Sequence, residues 1–226
     1  MNKTALIIGA SRGIGLGLVK EFSAQGWTVI ATVRDPQRAE ALAGIPGVRV
    51  ESLEMTDASQ GAALAQRLAG TRLDLLYINA GVSGRRELAA NDASLDEVAE
   101  LFMTNAVAPL RLAEQLLPLV KPMQGVIVFM SSVMGSVEAG PGMGMPLYGA
   151  SKAALNHLTR NFALGLGDAG PTVLSLHPGW VQTEMGGDDA PLDIATSCTG
   201  LVEQVTRAAG QGGHRFVDYQ GKALPW

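Results

Sequence analysis

Short runs of apolar residues alternate along the chain with longer segments whose apolar residues recur at helical spacing. The short runs predict buried strands at 5–8, 28–33, 48–53, 73–78, 125–130 and 172–176, with a short last strand at 216–217. Helical spacing predicts helices over 14–24, 38–43, 58–68, 94–119 (bent near Pro109) and 149–166. Apolar strands that alternate with helices are typical of a parallel sheet covered on both faces.

This alternation continues along the whole chain without a low-complexity linker, a charge block or an internal repeat. We therefore predict one doubly wound α/β domain of the Rossmann type over residues 1–226, with a mostly parallel sheet of about seven strands. The least regular stretch, 184–199, contains Gly186, Gly187 and Pro191. Its composition fits a substrate-binding loop and equally fits an inert surface loop.

Charge and cysteine content narrow the range of partners. The 17 Lys and Arg residues against 21 Asp and Glu residues give a net charge of −4, which argues against nucleic acid and anionic membranes as partners. No apolar run is long enough for a transmembrane helix or a signal peptide. The single cysteine, Cys198, suits a reducing compartment, so a cytoplasmic location is predicted. The three histidines lack the spacing of metal ligands, and no metal site is expected.

The first strand runs into a glycine-rich turn that opens a helix. The turn reads Gly9, Ala10, Ser11, Arg12, Gly13, Ile14, Gly15. Glycines at such a place let the backbone approach phosphates, and a helix N-terminus offers free N–H groups. The spacing is not that of a P-loop. The turn predicts a dinucleotide site, with a purely structural strand-to-helix turn as the alternative.

The end of the second strand indicates which dinucleotide would bind. Many such sites carry an acid there for the adenosine ribose, but here Arg34 follows the strand. Together with Arg12 it could pair with a 2′-phosphate, because guanidinium groups match phosphate geometry. The pair favours NADP(H), and two solvated surface arginines are the alternative.

Tyr148 and Lys152 lie four residues apart, on one face of a predicted helix. A free tyrosine is a slow acid or base at neutral pH, and a cation about 5 Å away lowers its pKa by about two units. The pair therefore predicts a tyrosine tuned for proton transfer, and an ordinary contact on a helix surface is the alternative.

The order of these motifs along the chain resembles that of the short-chain dehydrogenase/reductase family, in particular its C-factor and Sniffer-type carbonyl reductase branch. The resemblance covers most of the chain. It rests on the glycine turn, the Tyr148/Lys152 pair and four further features: Asn79-Ala80-Gly81 after the fourth strand, Asn105 in the long helix, Ser131-Ser132 after the fifth strand and Pro178-Gly179 after the sixth.

The resemblance implies a catalytic set of Asn105, Ser132, Tyr148 and Lys152. Tyr148 would protonate the carbonyl oxygen, and Lys152 would lower the pKa of Tyr148 and bind the nicotinamide ribose. Ser132 would polarise the carbonyl, and Asn105 would hold a water in a proton relay. Ser132 is preferred to Ser131 because a Val-x-Gly stretch follows it.

The resemblance also implies cofactor contacts along the carboxyl ends of the strands. Asn79, Ala80 and Gly81 would support the adenosine side, and Val181 and Thr183, after Pro178 and Gly179, would contact the nicotinamide carboxamide. Glu54, before Met55, replaces the aspartate that usually touches adenine. Met130, Met134, Met143, Met145, Met185 and Trp180 fit either an adaptable pocket or core filling.

We therefore predict an NADP(H)-dependent oxidoreductase that interconverts a carbonyl compound and an alcohol, with a small apolar or aromatic aldehyde or ketone as substrate. The alternative is a cofactor-binding signalling or regulatory protein of the C-factor type with little turnover. A methyltransferase would leave Tyr148 and Lys152 unexplained. The family resemblance implies a homo-oligomer, and a dimer is favoured.

Overall fold

The computed structural model describes residues 3–86 and 88–226, without the side chain of Arg38. It contains seven parallel strands in one sheet, in the order β3-β2-β1-β4-β5-β6-β7. The strands are β1 (Thr4–Ile8), β2 (Thr28–Val33), β3 (Val48–Ser52), β4 (Leu75–Ile78), β5 (Val126–Met130), β6 (Thr172–His177) and β7 (His214–Asp218). The predicted doubly wound fold is confirmed. Chain order reverses between β1 and β4, where such sheets open a ligand crevice.

Helices cover both faces of this sheet. They are α1 (Gly13–Ala24), α2 (Ala58–Arg67), α3 (Leu95–Phe102), α4 (Ala108–Leu116), α5 (Pro146–Leu166) and α6 (Ile194–Ala208). Alternate residues of β1 enter opposite cores, since successive strand side chains point to opposite faces. Ala5 and Ile7 pack with Phe22 of α1. Leu6 and Ile8 enter the core beneath α2, α4 and α5.

Two predicted helices differ in the structure. The segment 38–43 is not an α-helix and instead overlaps two 3-10 turns, Pro36–Arg38 and Glu40–Leu42. So short a segment cannot offset the cost of helix nucleation. The long helix predicted over 94–119 is interrupted at Met103–Val107 by a π-helical turn.

The irregular loop predicted over 184–199 ends earlier than expected. Asp193 caps α6, and its Oδ1 accepts the Thr196 N–H at 2.7 Å, so residues from Ile194 onwards are helical. Within the predicted loop 184–199, only residues 184–193 are irregular. Among the described residues, no helix is long and apolar enough to cross a membrane.

Candidate active site

The glycine turn between β1 and α1 is built by close contacts that only glycine permits. Gly9 has a φ of +83°, and a Cβ there would lie 2.8 Å from that of Ala80. A Cβ on Gly15 would lie 2.0 Å from the Gly9 carbonyl oxygen. Asn79 donates its side-chain N–H to the same carbonyl at 2.8 Å. The residues that follow β4 therefore pack against the glycine turn and hold it at the crevice between β1 and β4.

The N-terminus of α1 has the donors that a phosphate needs. Arg12 occupies the N-cap position without a capping side-chain hydrogen bond, and the first turn contains no acid. The backbone N–H groups of the first turn of α1 and the positive end of its dipole therefore have no capping side chain. A Cβ on Gly13 would lie 3.6 Å from Thr183 Cγ2, so the segment after β6 covers the turn. This arrangement fits the diphosphate of a dinucleotide.

At the adenosine end of the predicted site, the predicted side chains do not meet in one cluster. Arg12 forms an ion pair with Glu184 at 2.8 Å, and both side chains are more than 70% exposed. Arg34 is exposed at the end of β2. The Glu54 carboxylate accepts two hydrogen bonds from Thr56, and Met55 is buried. Contacts of these side chains with adenosine stay predictions.

The catalytic candidates meet where β5 ends beside the first turns of α5. The Ser132 side chain lies close enough to that of Tyr148 to lower its pKa. Lys152 is buried, and its Nζ lies 5.8 Å from the centre of the Tyr148 ring and donates to the Met130 carbonyl at 2.8 Å. Ser131 instead donates its hydroxyl to Asn156 at 2.7 Å. Ser132, rather than Ser131, therefore lies beside Tyr148.

Asn105 lies within the π-helical turn and is fully buried. Its Oδ1 accepts the Val82 N–H at 2.9 Å, and its Nδ2 donates to the Val82 carbonyl at 2.8 Å and to Ser151 Oγ at 3.0 Å. This side chain thus ties the β4–α3 loop to α5. Pro109, four residues later, cannot donate to the Asn105 carbonyl. Contact of Asn105 with a relay water stays a prediction.

Comparison with known proteins agrees with this geometry. The short chain dehydrogenase family model matches residues 3–191. The chain belongs to the short-chain dehydrogenase family. The C-signal protein of Myxococcus xanthus is 39% identical over 157 residues, covering 68% of this chain and 93% of its own length.

Solved structures of other short-chain dehydrogenases extend over the whole chain. One from Burkholderia multivorans with bound NADP is 38% identical, with a TM-score of 0.96 and full coverage of both chains. A carbonyl reductase from Pseudomonas aeruginosa PAO1 in complex with NADP is 43% identical, with a TM-score of 0.92 and full coverage of both. This chain is therefore an oxidoreductase of that family, and structures similar to it bind NADP.

Burial changes the proton affinities of Tyr148 and Lys152 in this short-chain dehydrogenase. It raises the pKa of Tyr148 to about 12, and the nearby Ser132 side chain acts in the opposite direction. It lowers the pKa of Lys152 to about 8. The sequence predicted a lowered tyrosine pKa. The direction is the opposite, because loss of water around the phenolate outweighs the lowering effect of Ser132.

Two segments border the site of this dehydrogenase and expose apolar side chains. Trp180 and Met185 lie after β6, and Val137 and Met143 lie between β5 and α5. Met130, by contrast, is part of the buried core. The pocket interpretation of the methionines therefore fits Met143 and Met185, and the core-filling interpretation fits Met130. The segment after β6 is joined to the β4–α3 loop by a hydrogen bond from Arg86 to the Met185 carbonyl.

Sequence analysis did not single out Asn156, although a signal was available. Asn156 follows Tyr148 and Lys152 at intervals of eight and four residues on the same helix, which is the spacing of one helix face. Within residues 3–86 and 88–226, no group of three or more His, Cys, Asp or Glu side chains could hold a metal ion.

Proposed function

We propose that this chain reduces an apolar or aromatic aldehyde or ketone to the alcohol with NADPH, using Tyr148 as the proton donor. The observation that carries this proposal is the cluster of Ser132, Tyr148 and the buried Lys152 at the end of β5, in which Lys152 Nζ lies 5.8 Å from the centre of the Tyr148 ring. It lies at the same edge of the sheet as the uncapped N-terminus of α1. Two hydroxyl groups are thus set to polarise and protonate a carbonyl beside a place for a dinucleotide.

Reduced NADP would supply the hydride that adds to the carbonyl carbon. Ser132 would donate a hydrogen bond to the carbonyl oxygen, and Tyr148 would give that oxygen its proton, leaving an alcohol and a tyrosinate. A pKa of about 12 keeps Tyr148 protonated at neutral pH, which is the state a general acid needs. Lys152, in its protonated form, would stabilise the tyrosinate and hold the nicotinamide ribose.

The NADP(H) preference is supported by positive charge beside the glycine turn. Arg12 and Arg34 lie at the carboxyl ends of the paired strands β1 and β2. Guanidinium groups there favour a 2′-phosphate over a free hydroxyl. The exposed Trp180, Met143 and Met185 support an apolar substrate.

The test combines cofactor binding with turnover. NADPH and NADH are titrated against the protein by fluorescence, and NADPH consumption is followed with butanal, benzaldehyde and acetophenone. We expect NADPH to bind at least about tenfold more tightly than NADH, and at least one carbonyl to be reduced. A protein that binds neither NADPH nor NADH would overturn the proposal. Tight NADPH binding without turnover would favour the signalling alternative.

Oligomeric state and location stay predictions. A groove on the outer face of α4 and α5 is lined by Leu110, Leu117, Leu158 and Phe162, and a second copy bound there would form the predicted homodimer. Light scattering after size-exclusion chromatography, with Leu158→Glu as the disrupting variant, tests the dimer. Cell fractionation tests the cytoplasmic location.

A further inference from the structure

Asn156 joins the two elements that carry the proposed catalytic side chains. It lies on α5 one turn after Lys152 and two turns after Tyr148, so the three residues share one helix face. Its side chain is buried. The mechanism proposed above gives it no role.

The amide of Asn156 binds residues on both sides of Ser132, a hydroxyl on one side and a backbone carbonyl on the other. Its Oδ1 accepts the hydroxyl of Ser131 at 2.7 Å, and its Nδ2 donates to the Gly135 carbonyl at 3.3 Å. Ser132 caps the 3-10 turn Val133–Gly135, and the Gly135 N–H returns to the Ser132 carbonyl at 2.9 Å. One side chain thus holds the residue before Ser132 and the residue that closes its turn.

Close packing makes this attachment rigid. A Cβ on Gly135 would lie 2.8 Å from Lys152 Cβ, so the turn touches the backbone of α5 directly. Water has little access, because Ser131 and Asn156 are both at most 4% exposed. Loss of the amide would therefore leave buried polar groups unpaired, and the turn would move to regain partners.

We propose that Asn156 is a positioning residue that sets the distance between Ser132 at the end of β5 and Tyr148 on α5. The proposal rests on the carbonyl reduction proposed above. It also makes a claim about the backbone at 132–136 that needs no substrate. A group that acts in the transition state must be placed within a fraction of an ångström, and small displacements lower kcat more than cofactor binding.

The principal variant is Asn156→Leu, which keeps the volume and removes both hydrogen bonds. Ser131→Ala removes one of the two and guards against misfolding of the first variant. Thr159→Val is the matched control, because Thr159 is buried on the same helix and its hydroxyl has no hydrogen-bond partner among the described residues. All three are compared with the wild type as full chains.

Two readouts are taken from each variant. Hydrogen–deuterium exchange measures the protection of amides 132–136. Steady-state kinetics with benzaldehyde, butanal and acetophenone gives kcat, and a fluorescence titration gives the Kd for NADPH. For Asn156→Leu we expect faster exchange at 132–136, kcat lower by at least about tenfold and a Kd within about twofold of the wild type. The double variant with Ser131→Ala should lose no more than Asn156→Leu alone.

Wild-type exchange at 132–136 in Asn156→Leu would overturn the proposal, and so would an unchanged kcat in an active protein. An equal loss in Thr159→Val would also overturn it, since any buried change would then suffice. If the wild type reduces no carbonyl, the proposed function fails, and the exchange data still decide whether Asn156 holds the turn.

Discussion

Helices α1 and α6 pack against each other, yet their first turns are built differently. A Cβ on Gly17 of α1 would lie 2.6 Å from Ile194 and from Cys198 of α6, so the N-terminal halves are neighbours. Asp193 caps α6 by accepting hydrogen bonds from the N–H and hydroxyl of Thr196. Arg12 at the same position of α1 gives no cap.

Two lysines differ in the same way, in whether a carboxylate binds the amino group. Lys121 donates to the Asp74 carboxylate at 2.7 Å and is partly exposed. Lys152 is buried and donates to a backbone carbonyl, with no carboxylate bound to it among the described residues. In both comparisons a carboxylate binds the structural position, Asp193 at α6 and Asp74 at Lys121, and the other position has no carboxylate in that place. We infer that the positions without a carboxylate are those where the cofactor and the reacting carbonyl bind.

Among changes at the two helix ends and the two lysines, the largest effect is expected from giving α1 the acidic cap of α6. Arg12→Asp should weaken both NADPH and NADH binding by at least about 100-fold, because the carboxylate would occupy the first-turn N–H groups and repel phosphate. The free energy of unfolding should stay the same or rise by about 1 kcal/mol.

Titration calorimetry with both cofactors and urea denaturation measure these effects. The control is Arg12→Ala, which should weaken NADPH about tenfold and leave NADH unchanged, since only the 2′-phosphate contact is lost. Unaltered NADPH binding in Arg12→Asp would show that the open helix end is not the phosphate site.

The second prediction concerns the cost of burying Lys152. Its pKa of about 8 lies below the value of 10.5 for a free lysine, so between these pH values the unfolded state binds more protons and folding gains stability from this group as pH rises. At neutral pH, Lys152→Met should be more stable than the wild type by about 1–3 kcal/mol, the loss of the Met130 contact included.

This advantage should shrink between pH 8 and 10.5, as measured by urea unfolding at several pH values. Lys121→Met is the control and should bring no gain at neutral pH, because it breaks an ion pair. A Lys152→Met protein whose relative stability does not change with pH would contradict the prediction.

The third prediction removes the cap that α6 has. Asp193→Ala should lower the free energy of unfolding by about 1 kcal/mol, because the first-turn N–H groups lose their acceptor. Affinity for NADPH should not change, since this helix end serves structure alone. Chemical denaturation and cofactor titration measure both, and a loss of NADPH affinity with unchanged stability would reverse the assignment of the two helix ends.

The smallest effect is expected at Glu184, the acid that pairs with Arg12. Glu184→Gln should strengthen NADPH binding by about two- to threefold, because the 2′-phosphate no longer competes with a carboxylate for the guanidinium and exposed pairs contribute little. NADH binding should be unaffected. Raising the salt concentration should reduce the difference between variant and wild type, and an equal gain for NADH would argue against the competition.

Local sequence signals were sufficient for most of the fold. The predicted strand 28–33 has the observed bounds of β2, and helix 14–24 differs from α1 by one residue. Apolar runs, glycines and capping residues act over a few positions and can be recognised in one segment. The family motifs also brought Ser132, Tyr148 and Lys152 together, as the structure does.

The remaining features depend on contacts between distant segments. The π-helical turn at Asn105 goes with the hydrogen bonds that this residue makes to Val82 and Ser151. The raised pKa of Tyr148 comes from burial after folding. The link between Ser131 and Asn156 joins residues 25 positions apart. Neither burial nor such pairing can be read from spacing within one segment.

The most direct test of the account compares the wild type with Tyr148→Phe. NADPH affinity is measured by fluorescence, and NADPH consumption is measured with every carbonyl that the wild type reduces. We expect the variant to bind NADPH within about twofold of the wild type and to lose at least about a thousandfold in kcat, because the carbonyl oxygen loses its proton donor. Equal turnover in the two proteins would contradict the account.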